Sequence, residues 1–225
     1  MELSFDKLGY SLALIADHAE GFGTTTLLVV WLAAGSILLS WLCGITAALM
    51  EESGTRWLVR PARFYVWFVR GTPTLILIFL VYFGLPQFGL RMSPYWAGIL
   101  ALGVNSGAFV AEIVRAGIVA VPRGQRECGL ALGLTWWLSM RLVVMPQVLR
   151  SIIPPLTNEA ITLLKNTSLL STITVFELTL FAQTAIARTF RPFEFYIAAA
   201  LIYLALTAVI ARVSRWLEHR YGLRI

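Results

Sequence analysis

Thr24–Met50 reads TTTLLVVWLAAGSILLSWLCGITAALM, 27 residues without a charged side chain. A helix crosses a bilayer with ~20 mostly apolar residues, because each advances about 1.5 Å through a ~30 Å hydrocarbon core. A second uncharged run of 20 residues follows at Gly71–Leu90, GTPTLILIFLVYFGLPQFGL. Around these runs the whole chain is 58% hydrophobic and 13% charged, with mean hydropathy +0.77. Soluble domains of this length interrupt their apolar stretches with charge far more often. The class is therefore an all-α integral membrane protein of about five transmembrane helices. The first run does not read as a secretory leader: it is long, Glu2, Asp6, Asp17 and Glu20 outweigh Lys7 before it, and no cleavage-like site comes after it.

Five spans are drawn, at about 23–49, 62–85, 93–116, 142–165 and 193–217, within one transmembrane domain covering 1–225. The fourth carries Arg150 and Glu159 and would escape a simple hydropathy window. Residues 167–188 are apolar but Thr-rich and hold Glu177, to which no role is assigned. They fit a partial or re-entrant element shielded from lipid, the condition for irregular backbone at membrane depth.

Charge sets the orientation. With five spans, twelve Arg residues fall on one side and five Lys or Arg on the other, Arg70 being left inside the second span. The richer side is expected to be cytoplasmic, which puts the amino terminus outside and the carboxyl terminus inside. The net charge of +6 thus reflects span ends, not a nucleic-acid surface. Cys43 and Cys128 are 85 residues apart and match neither a disulfide framework nor a metal-ligand spacing.

The longest cytoplasmic segment, about 117–141, is read as a compact knob of two short helices. Pro122 suits a first helical turn, Gly133 interrupts, Thr135 can cap the second helix, and that helix runs into Pro146. Within the knob, Glu127-Cys128-Gly129, then Gly133, then Val143-x-Met145-Pro146 resembles the EAA loop of ABC importer permeases. That pattern is Glu-Ala-Ala, three residues, Gly, nine residues, Ile-x-Leu-Pro. The spacing matches throughout, with Cys128 and Gly129 in place of the alanines and Val143 and Met145 in place of Ile and Leu.

The resemblance extends from Arg63 onward to the polar amino-acid permease family. It is carried by Arg70-Gly71-Thr72-Pro73, Tyr82-Phe83-Gly84-Leu85-Pro86, Ala111-Glu112-Ile113-Val114-Arg115, Val121-Pro122-Arg123-Gly124-Gln125, Pro154-Pro155-Leu156-Thr157-Asn158-Glu159 and Lys165-Asn166-Thr167-Ser168-Leu169. It implies the type I ABC importer permease fold, in a multi-pass protein of the bacterial inner (plasma) membrane. It also implies a second permease copy or paralogue, two ATPase subunits, a periplasmic or extracellular binding protein and a small-molecule amino acid as cargo. Gly124, Glu127, Cys128, Gly129, Gly133 and Pro146 would form the surface that couples to the ATPases, through coupling helices at about 121–138. The chain has no GxxxxGK[ST] phosphate loop, its only lysines being Lys7 and Lys165. No cofactor is expected on this chain. ATP and magnesium would sit on the partner, and the chain is not expected to be an enzyme. Trp136 and Trp137 are read as interfacial belt residues.

Three groups of residues are candidates for the cargo. Pro73 disfavours helical geometry at Thr72, and Gly71 adds freedom, so a break is predicted at Arg70–Pro73. A broken helix exposes backbone N–H groups suited to a carboxylate, with Gly71 and Thr72 the contacts. A structural kink with Arg70 reaching the interface is the other reading. Glu159 lies deep in the fourth span, where a carboxylate costs roughly 2.5–3.5 kcal/mol on insertion scales, and a substrate ammonium would be its partner. An internal bond to a neighbouring helix is the alternative. Relatives carry Lys-Asp-Thr-Ser-Leu where this chain has Asn166 followed by Thr167, and Glu159 lies two turns earlier on that face. The Asn-Glu pair is similar to the branch handling basic amino acids and opines, the Pro-Pro-Leu context to cystine-type members. Asn105 and Ser106, polar within the third span, serve either substrate or another helix, the latter being favoured. Glu112 and Arg115 are spaced to pair with each other. Two rivals remain: an ion-driven secondary transporter, disfavoured by the absence of a repeat, and a scaffold permease whose paralogue holds the substrate site.

Overall fold

The computed structural model describes residue 11 and residues 13–220, and every described element is helical. The order is α1 (Ala19–Glu52), α2 (Arg56–Arg70), α3 (Thr74–Phe79), α4 (Pro94–Ala120), α5 (Arg123–Ala131), α6 (Trp136–Ser139), α7 (Met145–Asn166), α8 (Leu178–Thr189) and α9 (Pro192–Arg220). π turns at Leu80–Gly84 and Met140–Val144 extend α3 and lead into α7, and 3-10 turns cover Leu85–Phe88 and Thr167–Ile173.

Helices α1, α4 and Pro192–Glu218 of α9 are each long and apolar enough to cross a membrane. Two bent pairs pass the same test together, Arg56–Arg70 with Thr74–Phe88 and Trp137–Ile173 with Leu178–Thr189. The region drawn as one span at 62–85 is therefore not a single rod: its two helices meet at 111°. Pro73 has φ −57° and ψ 136° and stops α2, because a residue in that geometry cannot continue the helix. The expected re-entrant element at 167–188 is a 3-10 segment followed by α8, bent 51° from the helix before it.

Helix α4 is the axle of the bundle. Its apolar window is 72% buried against 17% for that of α9, which therefore lies at the rim. Close approach of α1 to α4 depends on missing side chains. A methyl group added at Gly44 would stand 2.5 Å from Val110 Cβ and 2.7 Å from the Gly107 carbonyl. Small residues are the usual means of bringing membrane helices together, since lipid supplies no hydrophobic drive between them. Around this contact, Ala48, Val110, Val114, Ile118, Val144 and Val148 join α1, α4 and α7 in one apolar cluster. A second cluster packs Phe22, Val29, Leu163, Leu178 and Phe195 where α1, α7, α8 and α9 meet.

Candidate functional site

Ser106 is the thirteenth residue of the 27-residue α4, at the middle of the central helix. It is 3% exposed, and its Oγ donates a 2.7 Å hydrogen bond to Glu159 Oε1 on α7. Its neighbour Asn105 is 5% exposed and accepts at Oδ1 from Thr74 Oγ1 at 3.3 Å. Thr74 is the first residue of α3, so the break at Gly71–Pro73 lies at the level of Asn105 and Ser106. Consecutive helical residues point about 100° apart. The pair thus reaches α3 on one side and α7 on the other, and gathers the break, two polar side chains and a carboxylate at mid-depth.

Glu159 is half-buried, and among the described residues it has Ser106 as hydrogen-bond partner and no ion pair. The carboxylate keeps at least one oxygen for a further donor. That is the chemistry needed to receive an ammonium or guanidinium group.

Arg70 turns the other way. Its Nη1 lies 3.5 Å from Glu112 Oε2, and its guanidinium sits over the Phe109 ring at 5.6 Å. Arg115 Nη2 donates to the same carboxylate oxygen at 2.9 Å, as the spacing of three predicted. Glu112 is six residues beyond Ser106, about 9 Å along the helix. This three-charge cluster therefore sits below the Ser106–Glu159 bond and ties the end of α2 to α4.

Gly71, Thr72 and Thr167 each make a hydrogen bond within their own turn. Gly71 is the C-cap of α2, its N–H bonding to the Trp67 carbonyl. Thr72 Oγ1 donates to the Phe68 carbonyl at 2.8 Å. Asn166 ends α7 half-buried. Thr167 is fully buried and its hydroxyl donates to the Leu164 carbonyl at 2.7 Å, so it holds the turn.

Glu177 is the residue sequence reasoning left without a role. It is fully buried and caps α8: Oε2 accepts from Thr179 N at 2.8 Å and Oε1 from Leu180 N at 3.0 Å. Tyr203 of α9 donates its hydroxyl to Oε2 at 3.0 Å. The signal available in the sequence was a Glu directly before an apolar helical run, the position where side-chain oxygens satisfy free N–H groups.

At the opposite end from α3, the knob consists of α5 and α6. Gln125 N bonds to the Pro122 carbonyl at 3.0 Å, which opens α5 as the proline predicted. Gly124, Glu127 and Cys128 are exposed, and Gly129 lies within α5. Gly133 ends the first helix at φ 78°, a conformation costly for other L-residues. Thr135 Oγ1 accepts from Leu138 N at 3.4 Å at the start of the second. Beyond it the helical run continues through the π turn into α7, with the exposed Pro146 as its second residue.

A helical membrane bundle with a broken span, a mid-depth carboxylate and a protruding helix pair defines a multi-pass transport subunit. The chain belongs to the family of binding-protein-dependent transport system inner membrane components, which matches residues 36–223. It is 40% identical over 208 residues to the octopine transport system permease protein OccM of Rhizobium meliloti, covering 86% of this chain and 85% of that protein. The glutamine transport system permease protein GlnP of Escherichia coli (strain K12) is 36% identical over 222 residues, 98% of each chain. Among solved structures, an amino acid ABC transporter with histidines superposes at TM-score 0.84 with 35% identity, covering 98% of this chain and 100% of that one. The MetNI methionine ABC transporter, at 18% identity and TM-score 0.74 over 87% of this chain and 93% of that one, shares the fold. The chain is a permease subunit of an amino-acid ABC importer with the type I permease fold.

Proposed function

We propose that this permease takes up a polar or basic amino acid by alternating access, and that Glu159 receives a cationic group of the cargo. The observation that carries this is a carboxylate at mid-membrane depth, held by Ser106 and lacking any cation among the described residues. A charge so placed is costly unless paired or wetted, and a substrate ammonium or guanidinium supplies the pairing. The relatives that transport octopine and glutamine in name support a polar cargo.

Energy arrives from elsewhere. Two ATPase subunits dock on the knobs of two permeases, this chain and a second copy or paralogue, while a binding protein delivers cargo at the outer face. Gly124, Glu127, Cys128 and Gly129 form the docked surface, and Gly133 and Pro146 bound the lever that joins it to α7. In this orientation the knob lies in the cytoplasm of a bacterium whose inner membrane holds the protein. An impermeant thiol reagent should then modify Cys128 only from the cytoplasmic face, and a cysteine placed at residue 20 only from outside.

Glu159→Gln tests the cargo contact. It removes the charge while keeping volume and a hydrogen-bonding end. A hydrogen bond to a charged group contributes about 1.5–3 kcal/mol, so substrate dependence of transport should weaken roughly ten- to a hundredfold. ATP hydrolysis without substrate should survive. Normal transport by the variant would make Glu159 idle. Failure of the protein to accumulate would make it a helix-holding residue, as the Ser106 bond taken alone would suggest.

A further inference from the structure

Helix α2, RWLVRPARFYVWFVR, divides its surface into three strips. At 100° per residue, Ala62, Val66 and Val69 lie within about 60° of one another and are buried against the bundle. Arg56, Arg60, Arg63 and Arg70 share a second strip about 80° wide, and the helix holds no acid. Trp57, Phe64 and Phe68 form a third strip on the other flank, all exposed, Trp57 to 86%. The Phe64 ring stacks on Phe68 at 6.0 Å and meets Trp67 at 5.9 Å, so an aromatic ridge adjoins the arginines.

The helix crosses α4 instead of running beside it. From Ala62 to Val69 it advances about 10 Å, while its packing on α4 moves from Ala111 to Ala108, about 4.5 Å. Its charges agree. Arg63 Nε lies 3.7 Å from Glu51 Oε2 at the end of α1, and Arg70 meets Glu112. Arg115, bonded to Glu112, also interacts electrostatically with Glu51 and Glu52. Two positions along α2 therefore reach acids gathered at one level. That level is on the knob side, because Ala48 of α1 shares a cluster with Val121 and Met140. A membrane-spanning α2 would carry its arginine strip about 20 Å through the bilayer. The 111° turn into Thr74–Phe88 instead lets α2 lie near the plane of the interface.

The flanks are ordered as well. Tyr65, on the aromatic side of the buried strip, donates its hydroxyl to the Val104 carbonyl at 2.7 Å, toward mid-depth. Arg70, on the other side, meets Glu112, eight residues and about 12 Å nearer the knob. The ridge thus faces hydrocarbon and the arginines face water. Arg63 and Arg70 are paired, whereas Arg56 and Arg60 are exposed and, among the described residues, have no acid within ion-pair distance.

We infer that α2 is an interfacial helix that binds anionic phospholipids. Arg56 and Arg60 take the headgroup phosphate, and Trp57 and Phe64 lie against the glycerol backbone and upper acyl chains. Guanidinium groups above an aromatic ridge match the order of charge and hydrocarbon in a lipid. Net charge selects the occupant, since a zwitterionic headgroup brings an ammonium that the arginines repel. The cytoplasmic leaflet follows from the orientation proposed above, but the site needs neither that orientation nor the Glu159 contact.

The test places p-benzoylphenylalanine at position 57 of the assembled transporter, or at position 204 as reference, Leu204 being exposed on α9. The transporter is reconstituted in vesicles of equal parts phosphatidylglycerol and phosphatidylcholine in both leaflets, so the outcome is independent of orientation. After irradiation, peptide mass spectrometry compares the lipid adducts. One arginine at an anionic surface is worth about a fivefold preference. At position 57 phosphatidylglycerol should therefore exceed phosphatidylcholine at least about fivefold, and at 204 the two should be nearly equal. Arg56→Gln with Arg60→Gln should bring position 57 to the reference ratio, and Arg56→Lys with Arg60→Lys should keep most of the preference. Should the glutamine pair fail to accumulate, salt replaces it: screening should lower the ratio at position 57 at least about twofold between about 0.05 and 0.5 M. Equal adducts at 57 in the otherwise native chain would overturn the inference. So would adducts there to the ATPase or a second permease in place of lipid, which would make the ridge a protein interface.

Discussion

Ser106 on α4 and Glu159 on α7 are joined by a 2.7 Å hydrogen bond at the middle of the bundle. The bond fixes one carboxylate oxygen and the tilt of the side chain, leaving the other oxygen for a ligand. Ser106→Ala keeps the bulk of the side chain and removes the donor. Losing one such bond is worth about 1 kcal/mol, so the half-saturating substrate concentration should rise roughly fivefold. The amount of protein in the membrane should not change. Uptake kinetics beside a quantitative immunoblot decide it, and an unchanged half-saturation would mean that Glu159 is oriented without Ser106.

Glu177 and Tyr203 make the opposite case, a carboxylate enclosed by its own fold. Three donors converge on it, two of them backbone groups at the start of α8. Glu177→Ala removes the cap and strands those partly buried N–H groups, each costing up to about 1–3 kcal/mol. Its melting temperature in detergent should fall by clearly more than that of Tyr203→Phe, which loses one bond. Transport by whatever protein survives should keep its substrate dependence. A variant that melts normally but needs more substrate would return Glu177 to the cargo site.

The unequal legibility of these two glutamates has a physical reason. Glu159 stood out because a charge inside an apolar span has no local use in its own helix. The break at Gly71–Pro73 was equally readable, since proline removes a donor and restricts the residue before it. The cap that Glu177 gives α8 had a local signal, but its bond to Tyr203 depends on how the 3-10 turn Thr167–Ile173 brings the chain round, with Thr174 at φ 65°. No spacing in the sequence encodes that encounter. Asn105 and Ser106 were read as a single polar pair, but the helical rotation between them sends one to Thr74 and the other to Glu159. The 111° angle after α2 was also beyond reach, because proline marks where a helix stops and not the direction in which the chain leaves.

Gly133 separates backbone from bulk at the coupling knob. Its φ of 78° lies in the left-handed region, and no heavy atom stands within 4 Å of where a Cβ would be. The cost of a substitution is therefore conformational, about 1–2 kcal/mol for most residues, least for Asn and greater for a β-branched side chain. Gly133→Asn should keep most transport. Gly133→Val should insert normally but lose transport and co-purify with less ATPase. Equal activity of the two variants would show that the turn between α5 and α6 transmits nothing.

Gly44 and Gly23 lie on the same helix and should respond to alanine with opposite signs. At Gly23 nothing stands within 4 Å of an added methyl group. Alanine there only removes backbone freedom from the unfolded chain and should be neutral or stabilise by about 0.5–1 kcal/mol. At Gly44 the added methyl meets Val110 Cβ and Cγ1 at 2.5 Å and the Gly107 carbonyl at 2.7 Å. The Val110 side chain is buried, and the carbonyl belongs to α4, so relief requires the two helices to part. Overpacking of this kind typically costs about 1–3 kcal/mol. Thermal unfolding in detergent should show Gly44→Ala melting below the native protein and Gly23→Ala at or above it. Parting α1 from α4 would also disturb the level at which Ser106 meets Glu159, so Gly44→Ala should reduce transport more than its loss of folded protein explains. If both variants melt alike, the close contact of α1 with α4 does not govern how this bundle is held.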